Sequence, residues 1–153
     1  MSSREVSSRQ LQAAMAGIVW LLGRAESRTV LLGEAGAELS PVDEHLVRTV
    51  LARGPVRVTD LAVWQGVDKS TITPQVRRLE QRGLIERSSD PADRRAALLS
   101  VTARGRRTCQ RMDAAAVACI SDALGDWPEE DRESFASLFG RFADDLTRVL
   151  KVR

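Results

Sequence analysis

VRVTDLAVWQGVDKSTITPQVRRLEQRGLIERSSDPADRRAALLSVT, residues Val56 to Thr102, is the stretch that decides how this chain folds. A short extended piece, Val56-Arg57-Val58, leads to Thr59 as the N-cap of a brief helix from Asp60 to Trp64. Gly66 supplies a turn, because glycine adopts the positive φ that most residues avoid. Asp68 is placed to cap a second helix that runs to about Arg82 and is stopped by Gly83. Leu84 to Arg87 and Ala96 to Val101 then read as two strands joined by the polar loop SSDPADRR. Two helices around a tight turn, followed by a hairpin, are the layout of a winged helix-turn-helix. That shape sets one helix into a DNA major groove and a β-loop into the neighbouring minor groove.

Packing constraints support the assignment. Ala62 is small where two helices cross closely, and Leu61, Val67 and Ile72 are the apolar pegs that would lock them together. The second helix is the recognition candidate, about residues 68–82. Lys69 opens it, and Ser70, Thr71 and Thr73 place hydroxyls near its N-terminus, where backbone N–H groups and the helix dipole favour phosphate. Gln bonds adenine and Arg bonds guanine in bidentate fashion, so Gln75 and one of Arg77 or Arg78 are the expected base readers. Pro74 lies past the first turn and removes a helical donor. Either the helix starts nearer Thr73, or a bend fits it to the groove, with the proline ring against a thymine methyl. Arg87, at the base of the hairpin, is an expected phosphate contact.

The flanks are helical. Leu11, Ala14, Met15, Ile18, Leu22 and Ala25 recur at helical spacing and predict a long first helix from about Ser8 to Leu32. Ser40-Pro41 marks an N-cap with proline at the first helical position, and Val42, Leu46, Val47, Val50 and Leu51 form that helix's apolar stripe until Gly54-Pro55 ends it. Thr102 caps a helix reaching about Leu124. Trp127-Pro128-Glu129-Glu130-Asp131 opens the last helix, whose stripe is Phe135, Leu138, Phe139, Phe142, Leu146, Val149 and Leu150. The first and last helices carry more apolar surface than one packed face requires. They serve either a single-domain core or an interface with a second copy.

The 153 residues suit one domain with a core large enough to need no disulfide. Cys109 and Cys119 fall on one predicted helix about 15 Å apart, too far to bridge, and read as packed thiols in a reducing compartment. The leading segment MSSREVSSRQ contains Glu5 and no apolar core, unlike a secretory peptide. The apolar run Leu11 to Leu22 is too short to span a bilayer and is closed by Arg24. A cytoplasmic protein with no membrane partner is expected.

The formal net charge is only +2, but it is unevenly spread. Lys69 to Arg111 holds eleven Lys/Arg against four Asp/Glu, a local excess of +7, between acidic flanks. Positive charge therefore gathers on the segment that reads as a nucleic-acid contact. Catalysis is not expected. There is one histidine, His45, and no tyrosine, and no Cys/His/Asp grouping has metal-ligand spacing. Neither a phosphate loop nor a dinucleotide fingerprint occurs, so no cofactor and no metal are expected.

The hairpin and the start of the next helix resemble the multiple antibiotic resistance regulator (MarR) family of bacterial transcription factors. The matching words are Asp93-Arg94-Arg95, the strand AALLSV, and Thr102-Ala103-Arg104-Gly105. The resemblance implies a mainly α fold with a small β-hairpin wing, a winged helix-turn-helix whose N- and C-terminal helices form a dimerisation domain. Residues 1–153 would be a single MarR-like domain, with dimerisation helices in 8–40 and 103–153, the DNA-binding lobe in 41–102, and the wing about 84–101. Arg95 would enter the minor groove, held by Asp93, with Arg94 the alternative occupant. The function implied is that of a homodimeric repressor on double-stranded DNA with a palindromic operator, released by a small aromatic or phenolic effector. Trp20, Arg24, His45 and Arg48 are the residues expected to line an effector pocket; the alternative is ordinary core and surface. The other reading of the whole is a winged helix that serves as a protein-interaction or architectural module without a specific operator.

Overall fold

The computed structural model describes residues 2–151, with the side chains of residues 3, 4, 94, 95 and 151 outside the described set. The fold is mainly helical with one small antiparallel sheet, and the chain forms two compact units, Met1–Val117 and Ala118–Arg153.

In the first unit, α1 (Ser3–Leu22) starts at Ser2, whose hydroxyl accepts the Glu5 amide at 3.2 Å. The single long first helix predicted to Leu32 is broken instead. Gly23 ends α1, and α2 (Ala25–Ala37) begins afresh and is itself interrupted at Gly33 (φ 66°, ψ 179°). The apolar spacing persists across both breaks, which is why periodicity alone read through them.

Helix α3 (Pro41–Arg53) has the expected cap: the Ser40 hydroxyl accepts the Asp43 amide at 3.1 Å, with Pro41 in the first turn. Leu46, Val47 and Val50 are buried, whereas Val42 and Leu51 stay exposed. Strand β1 (Val56–Arg57) follows, and α4 (Val58–Gln65) begins directly after it. Arg57, and not Thr59, therefore takes the N-cap position. Gly66 adopts φ 64°, ψ 32°, the left-handed geometry that the turn requires. The recognition candidate is α5 (Lys69–Gln81). Asp68 sits at its N-cap without a side-chain capping bond.

Strands β2 (Ile85–Asp90) and β3 (Asp93–Val101) run further into the polar loop than predicted, leaving Pro91-Ala92 as the tip. The sheet order is β1-β3-β2, all antiparallel, with Val56 opposite Leu99 and Ile85 opposite Val101. Helix α6 (Ala103–Ala123) is fixed by Thr102, whose hydroxyl accepts the Gly105 amide at 3.0 Å and donates to the Gly83 carbonyl at 2.6 Å. A Cβ on Gly105 would meet the Leu84 carbonyl oxygen at 2.2 Å, so only glycine lets α6 approach the strand this closely. The core of this unit centres on Leu46, Leu61, Ile72, Val76, Leu79, Leu99 and Met112. Of the three predicted pegs, Leu61 and Ile72 are fully buried and Val67 is not.

In the second unit, α7 (Glu129–Lys151) begins with three acidic residues that complement its N-terminal dipole. Trp127, Phe135 and Phe139 stack in sequence with ring centroids 5.4 Å apart. The predicted stripe is present but not buried: Phe135, Leu138, Phe139, Val149 and Leu150 are all exposed. Among the described residues no helix is long and apolar enough to cross a membrane.

Candidate nucleic-acid interface

Helix α5 is amphipathic, and that fixes which side chains are available. Ile72, Val76 and Leu79 face the core. Lys69, Ser70, Thr71, Pro74, Arg77 and Arg78 are exposed. The helix begins at Lys69 and continues through Pro74, so the proline lies inside it and the alternative start near Thr73 does not occur. Thr73 is half-buried, and its hydroxyl is committed to the Lys69 carbonyl at 2.6 Å. Gln75 is half-buried too, and its Oε1 is enclosed without a hydrogen-bond partner.

The two arginines of α5 differ. Arg78 donates to the Asp43 carboxylate at 3.0 Å, tying the helix to the first turn of α3 through a buried acid. Arg77 has no ion-pair partner among the described residues and stands free at the surface. On the wing, Arg87 donates to Glu80 at 2.6 Å, so it reaches solvent already paired.

Sequence reasoning missed the brace beneath the wing tip. Asp90, the last residue of β2, is buried and accepts the Ala92 amide at 2.8 Å and the Arg57 Nε at 2.8 Å; Arg57 Nη2 also donates to it. The Ala92 amide first, then the Arg57 guanidinium, hold the Asp90 carboxyl below the usual carboxylate range. The polar loop that holds Asp90 was visible in the sequence, but its partner Arg57 lies 33 residues away, beyond local reading. Asp93 is exposed at the start of β3. Arg94 and Arg95 have backbones in β3, and their side chains lie outside the described residues.

Between the start of α5 and the wing lies a groove of about 360 Å³. It is lined by Arg57, Thr59, Lys69, Arg87 and Asp93, with Ala96 and Ala97 in its floor. Arg57 and Arg87 reach this groove already paired with Asp90 and Glu80, and Lys69 is the lining cation without an ion pair among the described residues.

The four expected effector residues differ in their surroundings. Trp20 is exposed with the Arg24 guanidinium 5.3 Å above its ring, His45 is exposed, and Arg48 is held by Glu44 at 3.0 Å and Asp113 at 2.6 Å. Trp64 on α4 is stacked on by the Arg53 guanidinium at 4.2 Å.

Residues 39–97 match the sequence pattern of the MarR family. The chain is 32% identical over 96 residues to YxaD of Bacillus subtilis, an uncharacterized HTH-type transcriptional regulator, covering 63% of this chain and 67% of that one. A second such regulator from the same organism, YcgE, is 27% identical over 154 residues, covering 99% of this chain and 97% of YcgE. Among solved structures, Streptococcus pneumoniae FabT in complex with DNA has the same fold, with a TM-score of 0.69, 19% identity, and coverage of 97% of this chain and 98% of that one.

Proposed function

From the chain's membership of the MarR family of transcriptional regulators, a family of regulators and not of enzymes, we propose that it acts as a homodimeric, sequence-specific DNA-binding repressor. Helix α5 reads the major groove of a palindromic operator and the wing enters the flanking minor groove. Arg77 is the leading base reader, with Gln75 and Arg78 behind it. Lys69, Ser70, Thr71 and Arg87 contact phosphates, Thr73 and Pro74 shape the helix that carries them, and Asp93, Arg94 and Arg95 form the wing contact.

One observation carries this reading. Lys69 at the start of α5 lines one groove with Arg57, Thr59 and the wing residues Arg87, Asp93, Ala96 and Ala97, while α5, its apolar face locked in the core, turns Ser70, Thr71, Arg77 and Arg78 to solvent. A sugar–phosphate strand fits that groove, and its counterions are released on binding. FabT, a structural neighbour of this chain, is a protein solved in complex with DNA.

Dimerisation is the second part of the proposal. The exposed stripes Ile18 to Leu22 on α1 and Phe135 to Leu150 on α7 are larger than single surface apolar residues warrant, and a second copy covers them. Release by a small effector is the third part, carried over from the family resemblance.

The test is a titration of the protein against a duplex of its own upstream region and against a scrambled duplex, at several salt concentrations. The proposal expects a specificity ratio of about a thousandfold or more and a steep salt slope. Equal weak binding to both would favour an architectural or protein-binding module.

A further inference from the structure

A surface pocket of about 250 Å³, its charged lining exposed to solvent, lies within the first compact unit where the end of α5 meets α2 and α6. Its charged lining has two signs. Glu34 comes from α2 and Glu38 from that helix's C-cap, whereas Arg82 comes from the C-cap of α5, and Arg104 and Arg111 from α6. Among the described residues none of these five side chains forms an ion pair. Opposite charges that border one cavity without closing on each other leave a gap for a molecule carrying both.

A second observation points the same way. Thr108 lines this cavity, is 6% exposed, and has no hydrogen-bond partner among the described residues. Thr29, Thr49, Thr73 and Thr147 all donate to the carbonyl one turn back; Thr108 does not. The residue is nearly buried, but its hydroxyl oxygen is not enclosed and stays reachable from the pocket, where it offers both a donor and an acceptor. The charge distribution adds a third. Four of the eleven basic residues between Lys69 and Arg111 are Arg104, Arg106, Arg107 and Arg111 on α6, outside the reading surface proposed above.

We infer that this cavity binds a small zwitterion of the amino-acid class. Arg104 and Arg111 take its carboxylate in the forked geometry that guanidinium favours, with the Thr108 hydroxyl donating to the same group. Glu34 and Glu38 take its ammonium. Ala35, Leu39 and Leu84 complete the wall, which selects an apolar side chain. The volume falls below the range of about 300–1,000 Å³ typical of drug-sized ligands, which suits a single amino acid and not a peptide.

Occupancy has a route to α5. Arg82 donates to the Glu38 carbonyl, joining the C-caps of α5 and α2. A carboxylate is a stronger acceptor than a peptide carbonyl and draws Arg82 toward itself, so the bound and free states differ at the end of α5. This last step rests on the reading of α5 as the DNA-contacting helix and deepens the effector part of that proposal.

The experiment is thermal melting of the full chain with each proteinogenic L-amino acid, and with 4-methylpentanoate and isoamylamine as the carboxylate-only and ammonium-only counterparts of leucine. An apolar amino acid raises Tm in a saturable way, and neither counterpart does. The R104Q/R111Q and E34Q/E38Q variants, whose altered side chains are all exposed, melt as the parent does without ligand and bind at least about tenfold more weakly. T108V, of the same shape, binds more weakly too. No shift with any amino acid, or an equal shift with 4-methylpentanoate, overturns the assignment. Operator-duplex titrations run in parallel separate the two proposals. Amino-acid binding without any duplex binding overturns the DNA reading and leaves the cavity standing; unchanged duplex affinity in the presence of bound ligand overturns the coupling.

Discussion

Arg77 and Arg78 are neighbours in sequence with different employment in the fold. Arg78 is spent on Asp43, and Arg77 points to solvent. Arg77→Ala should therefore cost about 1–3 kcal/mol at the cognate duplex and relax its sequence preference, as read by paired titrations on cognate and scrambled DNA. Arg78→Ala should instead lower stability by about 1 kcal/mol in a denaturant melt, because it leaves a buried carboxylate short of a partner that is itself half exposed. Gln75→Ala, with its amide oxygen enclosed, should weaken cognate binding less than Arg77→Ala; the reverse order would return Gln75 to first place. Cys109 is buried, and desolvation pushes its thiol above the usual range despite the nearby Arg48 charge. The native state therefore disfavours the thiolate. Stability should hold below the ordinary thiol pKa of about 8.5 and fall as pH rises past it, a trend that denaturant midpoints at neutral and alkaline pH would show and Cys109→Ser would flatten.

At the scale of elements, what was legible is what local chemistry specifies. The Ser40-Pro41 start, the Gly66 turn and the Thr102-x-x-Gly105 junction appear in the structure where the sequence places them. Each begins with a cap or turn made within a few residues, though the Thr102–Gly105 junction also reaches back to Gly83 and Leu84. The failures share the opposite property. The breaks at Gly23 and Gly33 interrupt a helix whose apolar periodicity continues, and the wing strands outrun a loop full of turn-forming residues because cross-strand pairing overrides them. In the candidate site the exposed cations of α5 were legible. The Arg57–Asp90 brace, the Arg78–Asp43 tie and the Arg87–Glu80 pair were not, since their partners come from distant turns of the chain. Gly105→Ala tests the junction: with a carbonyl oxygen in the way of any Cβ, it should destabilise by about 1–3 kcal/mol, and a melt unchanged from the parent would mean that α6 yields easily.

For the molecule as a whole, charge was the less reliable guide and apolar surface the more informative one. The basic excess of residues 69–111 divides between the proposed reading surface and α6, so a single tally does not describe the proposed interface alone. The stripe on α7 was open to two readings, core or interface, and its exposure in the folded chain favours the interface. Phe139→Asp should accordingly shift the protein from dimer to monomer in sedimentation and weaken operator binding, while leaving the first compact unit folded. The most direct test of the central claim is the affinity of the purified chain for its own upstream duplex, set against a scrambled duplex across a salt series. A ratio of about a thousandfold with a steep salt slope is what the account predicts. Equal affinity for both duplexes at every salt concentration would contradict it.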